Sequence, residues 1–429
     1  MSKKKIITII LFFTIVLTFI NLDNIREVVK NHLAPESKLY IKELFFGKTF
    51  VDRINLLKIG QKNLPQTEFE NIKLKKIEIK NLSGTTNTHY NKVKGTKKIL
   101  KKFFIENIKD DLLILDNKGA IKYLYNINAE SYKDIPSNLD DMKITTILDV
   151  ALIKDELFIS LSSKKNPEDK CSYFYLVKSK FNTKELIFSN FFGNEICLND
   201  IMSLGGRIHE FNYNSVEGVL LTTGASGREK NLAQDDNSIQ GKILFLPLDG
   251  TDYKIFSKGH RNPQGLTINS GIILSTEHGP YGGDEINKIS FGKNYGFPIS
   301  SYGEKYNYFN GVFKSRSDYI YKKNHAKNNF EEPIFSYVPS IGISEIIKVP
   351  NGFSKYWSDN YLVTSLNNRS IYRVKFDEEF SKILFSERIV VGERIRDIKF
   401  MKNLNSFVLA LEETGSLGIL QSPQSKKIN

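Results

Sequence analysis

One short pattern recurs along the chain beyond residue 100 and limits what it can fold into. A polar turn residue leads into a compact apolar stretch that ends in small or polar residues. The copies are "DLLILDN" at Asp111, "ELFISLS" at Glu156, "GVLLTTG" at Gly218, "GIILSTE" at Gly271, "NYLVTSL" at Asn360 and "SFVLALE" at Ser406. Several continue through a turn into a further apolar run, as in "DNKGAIKYLYNI" and "LNNRSIYRVKF". Runs of this length, bounded by turn residues, read as strands. Six units spaced roughly 45 to 90 residues apart indicate a repeat architecture with insertions. The pattern predicts an all-β, six-bladed β-propeller over residues 96–422, with a β-sandwich as the competing arrangement of the same strands. In a propeller the loops at one end of the axis converge, so residues distant in sequence share one site.

The N-terminal part is different. "MSKKK" precedes an apolar run from Ile6 to Ile20, the basic-then-apolar order of a secretion signal or a short signal anchor. "TFINLDN" offers no small residues at cleavage spacing, which favours an uncleaved anchor in residues 1–24. The rest of the chain is then expected outside the cytoplasm, on the periplasmic side of the cell envelope, with the membrane as a partner of residues 6–20. Residues 25–95 read as a short helical stalk and polar connection. "LDNIREVVKNHLAPESKLYIKELFFG" gives two amphipathic stretches broken by Pro35, and "NLSGTTNTHYNKVKGTKK" is loop-like. The two cysteines, Cys171 and Cys197, either form one disulfide closing a loop of about 26 residues, contributing about 3 kcal/mol, or remain two buried thiols. Net charge is +13, but basic residues gather only in short clusters, at Lys3 to Lys5 and Lys97 to Lys102. Without a continuous basic stripe and exposed aromatics, nucleic acid is not an expected partner.

Three separated pieces concentrate hydrogen-bonding groups. In "GHRNPQGL", residues 259–266, two glycines and a proline brace Arg261 and Asn262 on a stiff loop, and a guanidinium held this way suits a carboxylate or phosphate. "STEHGPYGGDEIN", residues 275–287, places Asp284 and Glu285 in a glycine-rich loop ahead of "NYGFP" at 294–298. These are hard oxygen ligands of the kind calcium takes, without the spacing of an EF-hand; a plain acidic turn is the alternative. In "ERIRDI", residues 393–398, Arg394 and Arg396 fall on one face of a strand. That placement calls for an anionic partner or for solvent.

Together these pieces resemble the glucose/sorbosone dehydrogenase family that depends on pyrroloquinoline quinone (PQQ), particularly its aldose sugar dehydrogenase branch. The resemblance covers roughly residues 100 to 420. It is strongest in "GHRNPQGL" and "EHGPYGGDEIN…NYGFP" and weaker in "GGRI…VLLTTG", "VPSIGIS", "SLNNRSIYRVKF" and "ERIRDI". It implies a six-bladed propeller, an oxidoreductase acting on a sugar or alcohol, and PQQ and calcium as cofactors. PQQ carries three carboxylates, and Arg261, Asn262, Arg394 and Arg396 match positions that contact it. The carbonyls of Gly279 and Pro280 match those binding the calcium that bridges to PQQ. Asp284, Glu285 and Tyr295 fall in a segment holding structural calcium.

The chain also departs from the family pattern. The family's general base is a histidine four residues before the arginine of an "H-x-x-G-R" motif; here the segment reads "SLGGR" and the position is Ser203. A serine hydroxyl is too weakly basic for that role unaided, and loss of a general base typically costs about 100- to 10,000-fold. Asn367 stands where a related branch has a lysine, Ile144 where a cofactor-contacting glutamine is expected, and Val338 where an aromatic precedes "PS". Of the six histidines, His278 lies beside the expected calcium-binding carbonyls and is the candidate replacement base. The expectation is a PQQ- and calcium-dependent sugar dehydrogenase-like protein whose catalytic histidine is replaced. The alternatives are a non-catalytic propeller serving as a binding or scaffold module, and a calcium-using propeller hydrolase.

Overall fold

The structure is a computed structural model, and it describes residues 74–86, 99–127, 131–166, 168–169, 171–193, 198, 203–225, 227–280, 282–304 and 321–422. The Ile6–Ile20 run, most of the expected connecting region and Cys197 lie outside the described residues.

Six sheets make the body of the chain, five of four antiparallel strands and one of five whose last strand, Lys293–Asn294, pairs parallel. The first strands of these sheets are Phe103–Ile108, Ile144–Ile153, Gly205–Tyr213, Pro263–Asn269, Ile343–Lys348 and Ile395–Met401. Each packs against the first strand of the sheet before and after it, and the last packs against the first. The circle of contacts defines a six-bladed β-propeller with these strands around its axis.

The six apolar runs of the sequence are the second strand of each blade: Asp111–Asp116, Glu156–Ser163, Val216–Thr223, Ile272–Glu277, Asn360–Ser365 and Ser406–Leu411. A second strand has ladder partners on both edges and neighbouring blades over both faces. It is therefore buried along almost its whole length, as in Asn360–Ser365 and Ser406–Leu411.

Two devices close the ring. Leu74–Glu78 pairs antiparallel with Ser416–Gln421, from Leu74 opposite Leu420 to Glu78 opposite Ser416, and forms the outermost strand of the sixth blade. This strand lies within the segment expected to be connecting. Only Ile77 of its five residues is buried, so its apolar signal is weak and its partner is more than 300 residues away. The second device is a set of carboxylates that accept hydrogen bonds from the backbone of a neighbouring blade. Asp397 Oδ2 takes the Ile105 amide at 3.0 Å across the last-to-first seam, Asp149 Oδ2 takes the Ile208 amide at 2.9 Å, and Glu345 Oε1 takes the Leu266 amide at 3.0 Å.

Their remaining oxygens meet at Arg207. Its Nη1 lies 2.9 Å from Asp149, 3.0 Å from Glu345 and 3.3 Å from Asp397. Its Nε donates to the Gln264 carbonyl at 2.6 Å and its Nη2 to the Arg396 carbonyl at 3.0 Å. The guanidinium carbon stands 5.3 Å from the Phe104 ring centroid. One buried arginine thus touches all five other blades.

Candidate functional site

Each innermost strand is the first of its blade, so all six begin at the same end of the axis. Residues at or just before those starts form one mouth: Lys102, Ile144, Ser203, Arg261 to Gln264, Gly342 and Arg394 to Arg396. This placement gathers sequence pieces that lie as far apart as Lys102 and Arg396.

Glu277, buried at the end of a second strand, organises the "GHRNPQGL" loop. Its Oε1 accepts the amides of Arg261 and of Asn262, and its Oε2 lies 3.0 Å from His260 Nδ1. His260 is fully enclosed, with Nε2 2.8 Å from Ser257 Oγ and its ring stacked 4.7 Å from that of Tyr295. It is a packing residue and does not face the mouth. Gly259 has φ +80°, and a Cβ there would stand 2.6 Å from the Gly296 amide. At Gly265 a Cβ would lie 2.6 Å from the Ser344 carbonyl of the next blade, so that glycine permits two inner strands to touch.

The loop so fixed links three blades. Asn262 Oδ1 accepts the Gly205 amide at 3.1 Å and Gln264 Nε2 at 3.1 Å. Asn262 Nδ2 faces His278 Nδ1 at 3.4 Å, and Gln264 Oε1 accepts Arg396 Nη1 at 3.1 Å. Arg261 Nη1 donates to the His278 carbonyl at 2.9 Å. Across the mouth, Arg394 Nε and Arg396 Nε reach opposite oxygens of Glu412, at 3.0 and 2.6 Å. Burial alone would raise the Glu412 carboxyl, but Arg396 and then Arg394 hold it down at about 2. Glu412 is therefore a fixed anion that aligns two guanidinium groups.

The sequence-predicted residues divide between two neighbouring places. Arg261, His278, Gly279, Pro280, Glu285 and Tyr295 all line one small, partly open pocket. Asn262, Arg394 and Arg396 belong to the mouth, connected to that pocket through Gln264 and His278. Ser203 is buried just ahead of Gly205, with its carbonyl packed against Gly224.

Asp284 gives one carboxylate oxygen to the Gly279 amide at 3.1 Å and the other to the amides of Ile341 and Ile343, both at 3.0 Å. Its observed task is to tie the "HGPYGG" loop to the next blade. The Glu285 carboxyl is pushed well up by burial and by the Glu277 carboxylate, and His325 Nε2 lies 3.5 Å from its Oε1. The Tyr295 carbonyl faces His325 Nδ1 at 3.1 Å, and its hydroxyl donates to the Lys288 carbonyl at 2.6 Å. Among the described residues, no group of three or more His, Cys, Asp or Glu side chains is arranged to hold a metal ion.

His278 Nε2 is buried without a hydrogen-bond partner. Burial, helped by Arg261 and Arg396 and opposed by Asp284, brings its imidazole down to about 4. Asn367 and Val338 sit at the rim; the Asn367 amide donates to the Ile341 carbonyl at 3.0 Å, and Val338 is exposed. Ile144 is buried at the start of the second blade. Sequence reasoning passed over Glu277, Gln264, Arg207 and Glu412. Glu277 and Gln264 lie inside the quoted motifs and Arg207 inside "SLGGR". Glu412 follows the last apolar run in "LALEETG", and its role appears only once Arg394 and Arg396 are beside it.

Fold and mouth define a class: a six-bladed propeller with a cation-rich mouth where its inner strands begin. The glucose/sorbosone dehydrogenase family matches residues 103–419, and the chain belongs to that family. It is 27% identical over 218 residues to aldose sugar dehydrogenase YliI of Escherichia coli (strain K12), covering 47% of this chain and 56% of the relative. The chain spans about half the length of the curated relatives it matches. Among solved structures, soluble aldose sugar dehydrogenase from E. coli in its apo form aligns with a TM-score of 0.61 at 20% identity, over 82% of this chain and all of that one. The PQQ-bound form of aldose sugar dehydrogenase from Streptomyces coelicolor aligns with a TM-score of 0.57 at 17% identity, over 81% and 98% of the two chains. At these identities the two structures establish likeness of fold.

Proposed function

We propose that the chain is a PQQ-dependent, sugar dehydrogenase-like oxidoreductase of the cell envelope, with Ser203 at the position of the family's catalytic histidine. The observation that carries the reading is the convergence of Arg394, Arg396, Asn262 and Arg261 at one end of a family-type propeller. Arg394 and Arg396 share a single carboxylate, so the mouth has positive charge to spare for an anion, and the guanidinium planes are already fixed by Glu412. That donor set fits a compact polycarboxylate. Arg261, Asn262, Arg394 and Arg396 would hold PQQ, and the carbonyls of Gly279 and Pro280 would hold calcium. When bound, PQQ would supply a two-electron acceptor and calcium a Lewis acid beside it.

The chain's own residues then bind and orient. The Arg396–Gln264–Asn262 sequence of hydrogen bonds ties the sixth blade to the fourth, and Asn262 in turn fixes the backbone beside Ser203. Holding a proton taken from a sugar hydroxyl is the weak point. Ser203 has no suitable basicity, and His278, brought down to about 4, is a poor acceptor near neutral pH. Those two features favour the second reading, a propeller that binds its anion without turning over a substrate. The apolar run Ile6–Ile20 supports a membrane anchor, and a disulfide-bonded Cys171 supports an oxidising compartment.

The test is to titrate the purified full-length chain with PQQ, with and without calcium, following binding by calorimetry and dye reduction over a panel of aldoses. Binding with reduction supports the dehydrogenase, and binding without reduction supports the non-catalytic module. Absence of PQQ binding in both conditions overturns the cofactor assignment.

A further inference from the structure

The mouth contains one more basic group, which none of the recognised motifs includes. Lys102 immediately precedes the inner strand of the first blade, Phe103–Ile108. Its Nζ donates to Thr146 Oγ1 at 2.9 Å and to the Ile147 carbonyl at 2.6 Å, both near the start of the second blade's inner strand. It stands 5.2 Å over the Phe104 ring, and the Arg207 guanidinium carbon is 5.3 Å from the same ring. An ammonium has three donors and no acceptor, so two fixed bonds leave one N–H for a further acceptor.

The charges around Lys102 leave it poorly compensated. Three cations, Lys102, Arg394 and Arg396, face one carboxylate, Glu412, which is already taken by both guanidinium groups. The other carboxylate that acts on it, Asp149, is engaged by Arg207 and by the Ile208 amide. Burial and then the Arg396 charge hold the Lys102 ammonium well below the usual lysine range. An anion entering the mouth relieves that repulsion and offers the acceptor that the third N–H lacks.

We propose that Lys102 is a further ligand-binding residue of the mouth, its ammonium joining Arg394 and Arg396 on the carboxylates of a polycarboxylate ligand. The proposal rests on reading the mouth as the cofactor pocket. It places a first-blade residue opposite the sixth-blade arginines, so that the ligand is gripped from both sides of the seam where the ring closes.

The experiment titrates the full chain, as wild type, Lys102→Met and Lys102→Arg, with PQQ and separately with benzene-1,3,5-tricarboxylate as a plain probe of the anion pocket. Binding is read by calorimetry in two buffers of different ionisation heat at a series of pH values up to the usual lysine range, within which a lysine held below that range loses its proton. The expected result is an affinity about 10- to 100-fold lower for Lys102→Met, with Lys102→Arg within a few-fold of wild type. Wild type should also take up protons on binding, and Lys102→Met should not. Equal affinity for wild type and Lys102→Met overturns the proposal, as does binding to wild type without proton uptake, a measurement that needs no variant to fold. Binding of the tricarboxylate but not PQQ, weakened in Lys102→Met, supports the Lys102 role and overturns the PQQ reading. Failure of wild type to bind either probe overturns both.

Discussion

Replacing Arg207 with methionine keeps much of the side chain's apolar volume and removes the cation shared by Asp149, Glu345 and Asp397. The three carboxylates lie 2.9, 3.0 and 3.3 Å from one guanidinium nitrogen, and their side chains are 4%, 10% and 0% exposed. Breaking a buried ion pair by removing one partner costs about 3–5 kcal/mol, because the other charge is left uncompensated. With an unfolding entropy of about 2.1 cal/mol/K per residue over roughly 350 residues, the melting midpoint falls by about 4–7 °C near neutral pH. The loss must depend on pH. Burial already raises the Asp149 and Glu345 carboxyls against the pull of Arg207, Glu345 to about 7, and removal of Arg207 raises them further. A carboxyl whose folded pKa is raised is stable in the fold below its unfolded pKa and loses that stability as pH rises through the folded value. The difference between wild type and Arg207→Met should therefore be small near pH 4.5 and largest above about pH 8. Thermal melts followed by circular dichroism across that range measure it. A deficit that is flat with pH, or no deficit at neutral pH, would refute the assignment of Arg207 as the electrostatic centre of the ring.

Two further outcomes follow from the mouth. Glu412→Gln leaves Arg394 and Arg396 buried without their carboxylate and should destabilise the fold by about 3–5 kcal/mol at neutral pH. Since Glu412 is held at about 2, its contribution is present above the unfolded carboxyl value near 4.5 and disappears as pH falls toward 2. The gap between this variant and wild type should close in acid, as denaturation midpoints taken from pH 7 downward will show. Ser203→His should raise dye reduction with aldoses by about 100- to 10,000-fold in PQQ-loaded protein if the missing base limits turnover, and unchanged turnover with retained PQQ binding would locate the defect elsewhere.

The parts of the fold that were legible are those whose environment is apolar on every side. All six recurring runs proved to be second strands, because only there do both faces meet neighbouring blades and both edges meet ladder partners. The inner strands were hidden by their own function. Asp149, Arg207, Glu345 and Asp397 interrupt the apolar pattern, since one face of each strand looks onto the axis. The closing strand Leu74–Glu78 was hidden for the opposite reason: one edge pairs with Ser416–Gln421 and only Ile77 is buried, so "LKKIE" carries almost no periodic signal. In the candidate site, Arg261, Asn262, Arg394 and Arg396 stand out in the sequence because unusual loops and paired charges mark them, and the structure brings them to one end of the propeller. Glu277 and Glu412 could not, because a lone glutamate at the end of an apolar strand is also what a solvated turn looks like.

The same two glutamates show how this mouth can keep its shape while its chemistry changes. Glu277 fixes the backbone amides of Arg261 and Asn262, and Glu412 fixes the side chains of Arg394 and Arg396, so each carboxylate holds its pair of residues from behind. Neither contact passes through Ser203, whose carbonyl packs against Gly224 while the adjoining Gly205 amide is held by Asn262. A change of side chain at position 203 therefore leaves those contacts in place, and on the proposed reading it alters the base and not the anion grip. On the proposed reading, binding and turnover are separable in this architecture: the first rests on residues anchored by carboxylates in the fourth and sixth blades, the second on the side chain at the start of the third blade.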